Sequence, residues 1–487
     1  MKKNIFAILT LVILIIISVN ILSIKKENDT NSNYVNIKIS KIDSNAYYIG
    51  KDGINHSDCV KGLENKPWKT YADLRTKKCL KPGDTIYIIP GIYTENSSIF
   101  EGLLGNQITF DGTADNPIKI IGAESDNNLD VRFENNLIVM KGTGGLVSNI
   151  EFFGKKPDRA VIMINGKNLT VKNSYIHGDQ KNINVKKNKI SWNTFDCIKI
   201  LGTSENIDIS DNEIAFCTED AIDVTGAKNI IYRGNNIHDA KMMQVKGGTE
   251  NILIENNIIH NLRLGIQGFA MSCPGDYCGG LHIPELAVEE RFVAKNVTIK
   301  NNLFYDMYGN SIGPAGYIDT KIYNNTFHNI LGSAFNPHKA GFDFYDKKAE
   351  QYCSITPSAC ETCGNSNECK KIEFVNKNIE FANNIMYSIA NVKKASFFTN
   401  TGDHTNMKVY NNFYYNPKNL GEVLEDSKYA DKTNKEIDPQ FVNMLEKDFH
   451  LKSTSQAIDV GINFGIKTDL DNVSRDTKPD LGAYEHR

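Results

Sequence analysis

The sequence lacks an excess of charge of either sign. Its 55 lysine and arginine residues nearly balance 58 aspartate and glutamate residues, so the formal net charge of the 487-residue chain is −3. A protein that binds nucleic acid carries a basic excess to neutralise phosphates, so this balance argues against a nucleic-acid partner. Hydrophobic residues make up 40% of the chain, which excludes a largely disordered protein.

The N-terminus lacks a small-residue cleavage motif and a nearby cysteine for lipid attachment. It does contain the uncharged run Ile5–Ile24, with lysines on both sides. Residues 1–26 are therefore predicted to be either a signal peptide or a membrane anchor. Residues 27–44 are rich in Asn, Ser and Lys, which is typical of a linker. We expect a secreted or cell-surface protein that touches the membrane only through a possible anchor.

Cysteine is not scarce, and its ten copies in an exported chain favour disulfides. Cys59 and Cys79 flank an early segment, and Cys273 and Cys278 flank a loop. Four more crowd one stretch, where a zinc site is the weaker alternative because their spacing is irregular: Cys353, Cys360, Cys363 and Cys369. Cys197 and Cys217 lie in a regular region and are interpreted as small buried residues.

The chain has no leucine-rich consensus, which excludes a leucine-rich horseshoe, but it has another repeat. Each copy is an asparagine, an alternating apolar run, and a second asparagine six positions on. Asn206, Asn229 and Asn251 begin successive copies at intervals of 23 and 22 residues. This period is typical of one turn of a solenoid and too short for a propeller blade.

The apolar residues of each copy alternate with period two and are rich in β-branched types, so the copies are predicted strands. Stacked turns would place the second asparagines above one another, where their amides can bond in a ladder. Turn chemistry is the alternative explanation for these asparagines. The predicted positions are Asn212, Asn235, Asn257, Asn302, Asn325, Asn384 and Asn412. We predict an all-β, right-handed parallel β-helix of about ten turns between residues 100 and 420.

The ends of the chain resemble secreted bacterial β-helix proteins of the pectate-lyase-like superfamily. The opening segments are Pro67–Thr70, Pro82–Tyr87 and Pro90–Tyr93, and the closing ones are Asp438–Phe441, Ser455–Gly461, Arg475 and Pro479–Glu485. The resemblance covers residues from about 46 to 487. It implies a parallel β-helix over 45–420, with inserted loops, and a short C-terminal capping segment over 421–487.

Acidic residues recur at the repeat distance. Asp220 follows Asp196 by 24 residues, Asp223 follows Lys199 by 24, and Glu219 adjoins them. On stacked turns the four acids converge on one outward patch, and clustered hard oxygens suit calcium. Alternatively the patch is a solvated face, with Lys199 neutralising part of it.

The acidic segment Glu219–Asp223 resembles the calcium-binding segment of family-nine polysaccharide lyases, with Glu in place of the first Asp and Ala in place of Gly. These enzymes carry a lysine base one turn later before Gly-Gly. Here the segment is Gln244–Gly248, in which Lys246 stands two residues later than the pattern. The resemblance implies calcium-assisted β-elimination on a uronic acid polymer. The alternative for Lys246 is a surface lysine before a turn.

Other β-helix lyases use a lysine and an arginine from successive turns, and this chain is similar in having Lys246 and Arg263. The alternative for Arg263 is an ordinary surface residue. Two long insertions, 269–291 and 330–373, are expected to wall the groove. His282 and His338 within them are candidate acids or substrate contacts, or incidental loop residues.

The sequence favours a monomeric, exported, calcium-dependent lyase of an acidic polysaccharide. Two alternatives stay open. An inverting β-helix glycoside hydrolase needs two carboxyl groups about 6.5–9.5 Å apart, wider than adjacent turns allow for Asp196 and Asp220. A non-catalytic glycan-binding protein would keep the solenoid without a working base.

Overall fold

The computed structural model describes most of the chain after residue 42. The described residues are 43–94, 99–100, 106–123, 131–135, 137–155, 159–180, 183–184, 189–190, 195–268, 292–338, 343–346, 351–354, 369–372, 374–389, 396–399, 402–417 and 428–487. The predicted leader 1–26, the linker up to residue 42, the insertion 269–291 with His282, and Cys360 and Cys363 lie outside them. Within the described part, no helix is long and apolar enough to cross a membrane.

Each turn of the chain adds one strand to each of three parallel sheets, here called sheets 1, 2 and 3. Asp220–Thr225, Lys228–Arg233 and Asn236–His238 form one such turn. Each of these strands pairs in parallel with its equivalent one turn later. The predicted right-handed parallel β-helix is confirmed.

Two strands, Ile138–Ser148 and Ala160–Lys172, run through both sheet 1 and sheet 2. The other strands of sheet 1 are Gln107–Asp111, Asp196–Ile200, Asp220–Thr225, Met242–Lys246, Ile266–Gln267, Ile312–Gly313, Ser333–Phe335 and Ser396–Phe398. Those of sheet 2 are Tyr47–Ile54, Thr85–Ile88, Ile118–Gly122, Glu205–Ser210, Lys228–Arg233, Thr249–Glu255, Ala294–Lys300, Tyr317–Tyr323, Lys377–Ala382 and Thr405–Tyr410. Those of sheet 3 are Gly91–Thr94, Val131–Asn135, Glu151–Gly154, Tyr175–His177, Glu213–Ala215, Asn236–His238, Ile258–His260, Leu303–Met307, Thr326–Ile330, Ile385–Tyr387, Phe413–Tyr415 and Lys435–Glu436.

A few short elements lie outside the three sheets. An α-helix, Tyr71–Thr76, is capped by the Thr70 side chain, which accepts from the amide of Asp73. A 3-10 helix spans Met444–Glu446. The antiparallel pairings join Ile183–Asn184 with Lys189–Ile190, Asp343–Asp346 with Gln351–Ser354 and Cys369–Ile372, and Phe441–Asn443 with Asp448–Leu451.

The solenoid is longer than the repeat alone indicates. Sheet 3 has twelve strands between Gly91 and Glu436 in the described part of the chain, against the ten turns expected from 100 to 420. The early turns lack the paired asparagines and the last one, Lys435–Glu436, is very short. Neither end therefore matches the sequence repeat.

The core consists of stacked apolar rows inside the solenoid. Ile207, Ile230, Ile252 and Val297 are register partners in sheet 2, and each is at most 2% exposed. Because every inward row repeats in this way, burial of apolar area accumulates turn by turn. The core holds each turn against its two neighbours, and outward residues are left free for chemistry.

The predicted internal asparagine ladder is confirmed at all seven positions, and Asn434 extends it. Each amide donates to the Oδ1 of the asparagine one turn later, at 2.8–3.1 Å. Asn257 is fully buried, and its Nδ2 also donates to the carbonyl of Tyr232 at 3.0 Å. Its Oδ1 accepts from both the backbone and the side chain of Asn235. The ladder thus satisfies polar groups at a corner of the core.

The first asparagine of each copy has a different role, and here the turn explanation applies. Asn206, Asn229, Asn251 and Asn296 have φ between 54° and 58°, a left-handed conformation that asparagine tolerates. Their side chains form a second, solvent-facing ladder along the corner between sheets 1 and 2.

The C-terminal segment folds back along the flank of the solenoid. Five asparagines of the solenoid, each one position before a ladder asparagine, donate side-chain hydrogen bonds to backbone carbonyls of the C-terminal segment. The pairs are Asn411 to Val460, Asn383 to Ile462, Asn324 to Asp480, Asn301 to Thr468, and Asn256 to Asp469. Arg475 is buried inside this segment, where its guanidinium bonds Glu485 at 2.7 Å and the Asn301 side chain at 3.1 Å. The segment therefore ties several turns together.

Replacing Asn257 by alanine should lower the free energy of unfolding by about 3 kcal/mol or more, because it strands several buried donors and acceptors. Lys228→Ala is the control: it removes an exposed ion pair with Glu250 and should cost less than about 0.5 kcal/mol. Urea denaturation measures both. Equal losses would mean that the ladder does not stabilise the fold.

Candidate functional site

Three aspartates of two adjacent turns meet on the outward side of sheet 1. Ile198 and Ile200 face the core, so Lys199 between them faces outward, and its register partner is Asp223. The backbone amide of Asp220 donates to Asp196 Oδ1 at 3.1 Å. One carboxylate oxygen from each of Asp196, Asp220 and Asp223 lies within 4.8 Å of the other two. We call these three residues the acid triad.

The triad is buried, since each member is at most 4% exposed. Lys199 Nζ donates to Asp196 Oδ2 at 3.0 Å and to Asp223 Oδ2. Lys246 Nζ lies 3.0 Å from Asp223 Oδ1 and donates to Gln244 Oε1 at 2.5 Å. The two lysines therefore contact both carboxylate oxygens of Asp223, one each.

Lys246 reaches the triad although its backbone is displaced from it. Its register partner is Thr225, whereas Gln244 is the residue beside Asp223. The interval from Asp223 to Gln244 is 21 residues, against 24 between Lys199 and Asp223, and a register shift between Asp220 and Ile222 accounts for one residue of this difference. The long lysine side chain spans the difference, and Lys246 as a whole is 6% exposed.

The surroundings shift the pKa values of the three triad aspartates in different directions. Burial, together with repulsion from Asp196 and Asp223, raises the pKa of Asp220 well above its usual range. Burial also raises the pKa of Asp196 to about 6, although Lys199 opposes the rise. For Asp223 burial acts in the same direction, but Lys246 and Lys199 outweigh it and lower the pKa. The surroundings therefore favour the ionised form of Asp223 and the protonated form of Asp220.

The triad fits a divalent cation. Oxygens bound to one calcium lie within about 5 Å of each other, twice a bond length of about 2.3–2.6 Å, and the triad oxygens meet this limit. Asp220 Oδ1 is buried and has no hydrogen-bond partner within the described part of the chain. Three carboxylates against two ammonium groups also leave the site one positive charge short.

Glu219 lies next to the triad but turns away from it. Its carboxylate accepts from Lys241 Nζ at 3.3 Å, and its side chain is 34% exposed. Its backbone amide bonds the carbonyl of Phe195, which continues the sheet 1 register. The structure therefore brings three of the four predicted acids together.

Arg263 and Lys246 lie at opposite ends of neighbouring strands. Arg263 is exposed in the turn before Ile266–Gln267, and its amide donates to the carbonyl of Ala240. His338 is further along the chain, where its amide bonds the carbonyl of Pro314 and burial lowers the pKa of its imidazole.

A disulfide joins the segments that present the triad. Cys197 and Cys217 are buried, as predicted, but they are also bonded to each other, which the interpretation as small buried residues did not include. Cys197 follows Asp196, and Cys217 lies three residues before Asp220. The sequence spacing does not show that their α-carbons approach to 5.3 Å inside the solenoid. A second disulfide joins Cys59 and Cys79, in line with the expectation that the cysteines of this chain are paired.

Sequence reasoning missed an outward row that leads away from the triad. Asp223, Gln244, Gln267 and Gly313 are successive register partners. Gln267 is 2% exposed and donates to the carbonyl of Asn310. A Cβ at Gly313 would come within 2.2 Å of Gln267 Oε1, so a larger residue there would require the Gln267 side chain to move. The intervals of 21 and 23 residues between its first three members were the available signal, whereas Gly313 follows after 46 residues because the insertion 269–291 lies between.

The sequence matches no protein-family model and none of the curated proteins. Solved structures similar to it include a rhamnogalacturonan lyase, at 14% identity and TM-score 0.42, with 84% of this chain and 95% of that chain covered. The A-module of the Azotobacter vinelandii mannuronan C-5 epimerase AlgE4 matches at 10% identity and TM-score 0.41, over 79% and 99% of the two chains. A GH136 lacto-N-biosidase from Eubacterium ramulus matches at 14% and 0.34, over 76% and 56%. At these values the matches carry no argument about activity.

Asp220→Asn should stabilise the metal-free protein at about pH 8. The unfolded chain ionises Asp220 above about pH 3.9, whereas the folded protein keeps it protonated, so stability falls as pH rises between the two pKa values. Asparagine removes that loss. We expect a melting temperature several degrees above wild type at pH 8 and a smaller gap at about pH 4.5, measured by differential scanning fluorimetry with chelator. A gap independent of pH would contradict the assignment.

Proposed function

We propose that the protein is an exported, monomeric, calcium-dependent lyase that cleaves an acidic polysaccharide by β-elimination. The observation that carries this proposal is a buried acid triad with an unpartnered oxygen on Asp220, in contact with the buried ammonium of Lys246. The two disulfides favour an oxidising compartment outside the cytoplasm.

Asp196, Asp220 and Asp223 are the proposed calcium ligands. When bound, the cation neutralises the carboxylate of a uronate and so acidifies the proton α to it. Glu219 is not included, because its carboxylate pairs with Lys241.

Lys246 is the proposed base. In the metal-free protein Asp223 and Gln244 hold its ammonium. The base role requires the uncharged amine, which is the form that accepts a proton. Its position two residues beyond Gln244 directs the amine along the outward row of sheet 1, where a polymer would lie.

The proposed reaction breaks the C5–H bond and transfers that proton to the base. The electron pair left on C5 forms the C4–C5 double bond as the C4–O bond to the next sugar breaks. The leaving oxygen then takes up a proton. Lys199, which bridges Asp196 and Asp223, adds positive charge beside the developing enolate, and Arg263 is a second candidate for this role.

The geometry disfavours the inverting hydrolase alternative. An inverting enzyme needs about 6.5–9.5 Å between its two carboxyl groups to admit a water molecule. The triad oxygens lie within 4.8 Å of one another. The glycan-binding alternative predicts no cleavage at all. Hydrolysis creates new reducing ends without the double bond that elimination forms, so measuring both products separates the three functions.

Lys246→Ala should reduce elimination by about a hundredfold or more, because it removes the general base, while calcium and polymer binding stay largely intact. The assay is the near-ultraviolet absorbance of the unsaturated uronate, on a panel of uronic acid polymers. Lys241→Ala, the matched control, removes a lysine paired outside the triad and should keep activity. Arg263→Ala should lower turnover if the Arg263 guanidinium offsets the negative charge of the enolate.

Two outcomes count against this scheme. Near-full activity of Lys246→Ala would shift the base assignment to another group. Failure of the wild type to cleave any uronic acid polymer would favour the glycan-binding alternative.

Calcium should raise the melting temperature of the wild type, because a ligand that binds only the folded state stabilises it by mass action. The bound cation would also offset the repulsion among the three carboxylates. Asp220→Asn should abolish this rise, whereas Glu219→Gln should keep it, because Glu219 is directed to Lys241. Calorimetric titration with calcium measures the affinity of each variant and of the wild type. Equal affinity of Asp220→Asn and wild type would show that the cation binds elsewhere.

A further inference from the structure

A trough runs along the outward face of sheet 2, on a different side of the solenoid from the acid triad. Its volume is about 630 Å³. The floor consists of five outward residues from successive turns, which are register partners: Thr170, Asp208, Ile231, Leu253 and Thr298. The loop residues Ala114 and Pro117 also line it, next to the Thr170 end.

One wall of the trough is the solvent-facing asparagine ladder. It consists of Asn168, Asn206, Asn229, Asn251 and Asn296, joined amide to amide at 2.7–2.8 Å. Each ladder bond uses only one of the two N–H groups of an amide. The wall can therefore offer a donor at each turn, every ~4.8 Å along the solenoid.

The centre of the floor is apolar. Ile231 and Leu253 are half-buried, although outward positions of an exposed strand are usually polar. Flat apolar patches between hydrogen-bonding groups suit the C–H faces of sugar rings.

Asp208 contributes a polar atom without a hydrogen-bond partner to the floor of the trough. Its Oδ1 is buried and has no hydrogen-bond partner among the residues described here. A carboxylate oxygen only accepts, so the missing partner is a donor, such as a hydroxyl group. Its negative charge also repels a polyanion, and none of the described residues that line the trough is basic.

The chemistry of the row changes beyond Thr298. Its next members are Lys321, Glu380 and Lys408, which line a separate depression of about 170 Å³. The part of the row without lysine that lines the trough therefore spans five turns, comparable with a short stretch of pyranose units.

We propose that this trough binds a neutral, extended oligosaccharide, with its hydroxyl groups on Asp208 and the asparagine ladder and its ring faces on Ile231 and Leu253. The site is separate from the acid triad and does not depend on lyase activity. It would hold the protein on an uncharged glycan while sheet 1 faces another polymer.

The test is calorimetric titration with neutral β-1,4-linked hexasaccharides of glucose, mannose and xylose, with polygalacturonate as the acidic comparison. At least one neutral ligand should bind the wild type. Asp208→Ala should weaken it about tenfold, equivalent to about 1.4 kcal/mol, and Ile231→Lys, which fills the floor, should abolish binding. Lys228→Ala, on the same strand but outside the trough, is the matched control and should bind normally.

The melting temperature and the calcium affinity of each variant show whether it is folded. If Ile231→Lys does not fold, Asp208→Ala still tests the proposal. Three results would overturn the proposal: no neutral hexasaccharide binds, Asp208→Ala and Ile231→Lys bind as the wild type does, or polygalacturonate is the ligand whose binding they weaken. Self-association of the wild type that Ile231→Lys removes would instead identify the trough as a contact between copies of the chain.

Discussion

The buried asparagine ladder is the constraint on which the rest of the structure depends. Its amides satisfy polar groups that a corner of the core would otherwise leave unpaired, and they do so only when successive turns are in register. A slip by one residue would reverse the faces of every strand. Because the ladder fixes the register, it also fixes which outward side chains become neighbours, and the candidate site is made of such neighbours.

Register alone explains half of the site. It places Lys199 beside Asp223, and the 24-residue spacing in the sequence predicts this pair. The next interval is only 21 residues, because that turn is shorter and the register also shifts by one residue between Asp220 and Ile222. As a result Gln244, not Lys246, stands beside Asp223. A repeat read from the sequence as uniform cannot reveal a local shift of this kind, which depends on how one strand bends.

The fold was predictable because both of its signals, alternating apolar residues and recurring asparagines, are local and repeated. Other features depend on side-chain directions that spacing does not encode. Glu219 belongs to the acidic segment, yet it turns to Lys241. Cys197 and Cys217 look like ordinary buried residues, yet both point to the same interior space. The fold-back of the C-terminal segment rests on long-range bonds, such as Asn301 to Thr468, that no periodicity signals.

The charge balance of the triad explains why so buried a site is left incomplete. Lys199 and Lys246 offset two of the three carboxylates, and a third lysine would have completed the neutralisation at low cost. Instead Asp220 keeps an unpartnered oxygen, so the site takes up either a proton or an added cation. A permanently neutral cluster would stabilise the solenoid better, since unpaired buried charge is costly. A site that is short of one positive charge is therefore better explained by ligand binding than by stability.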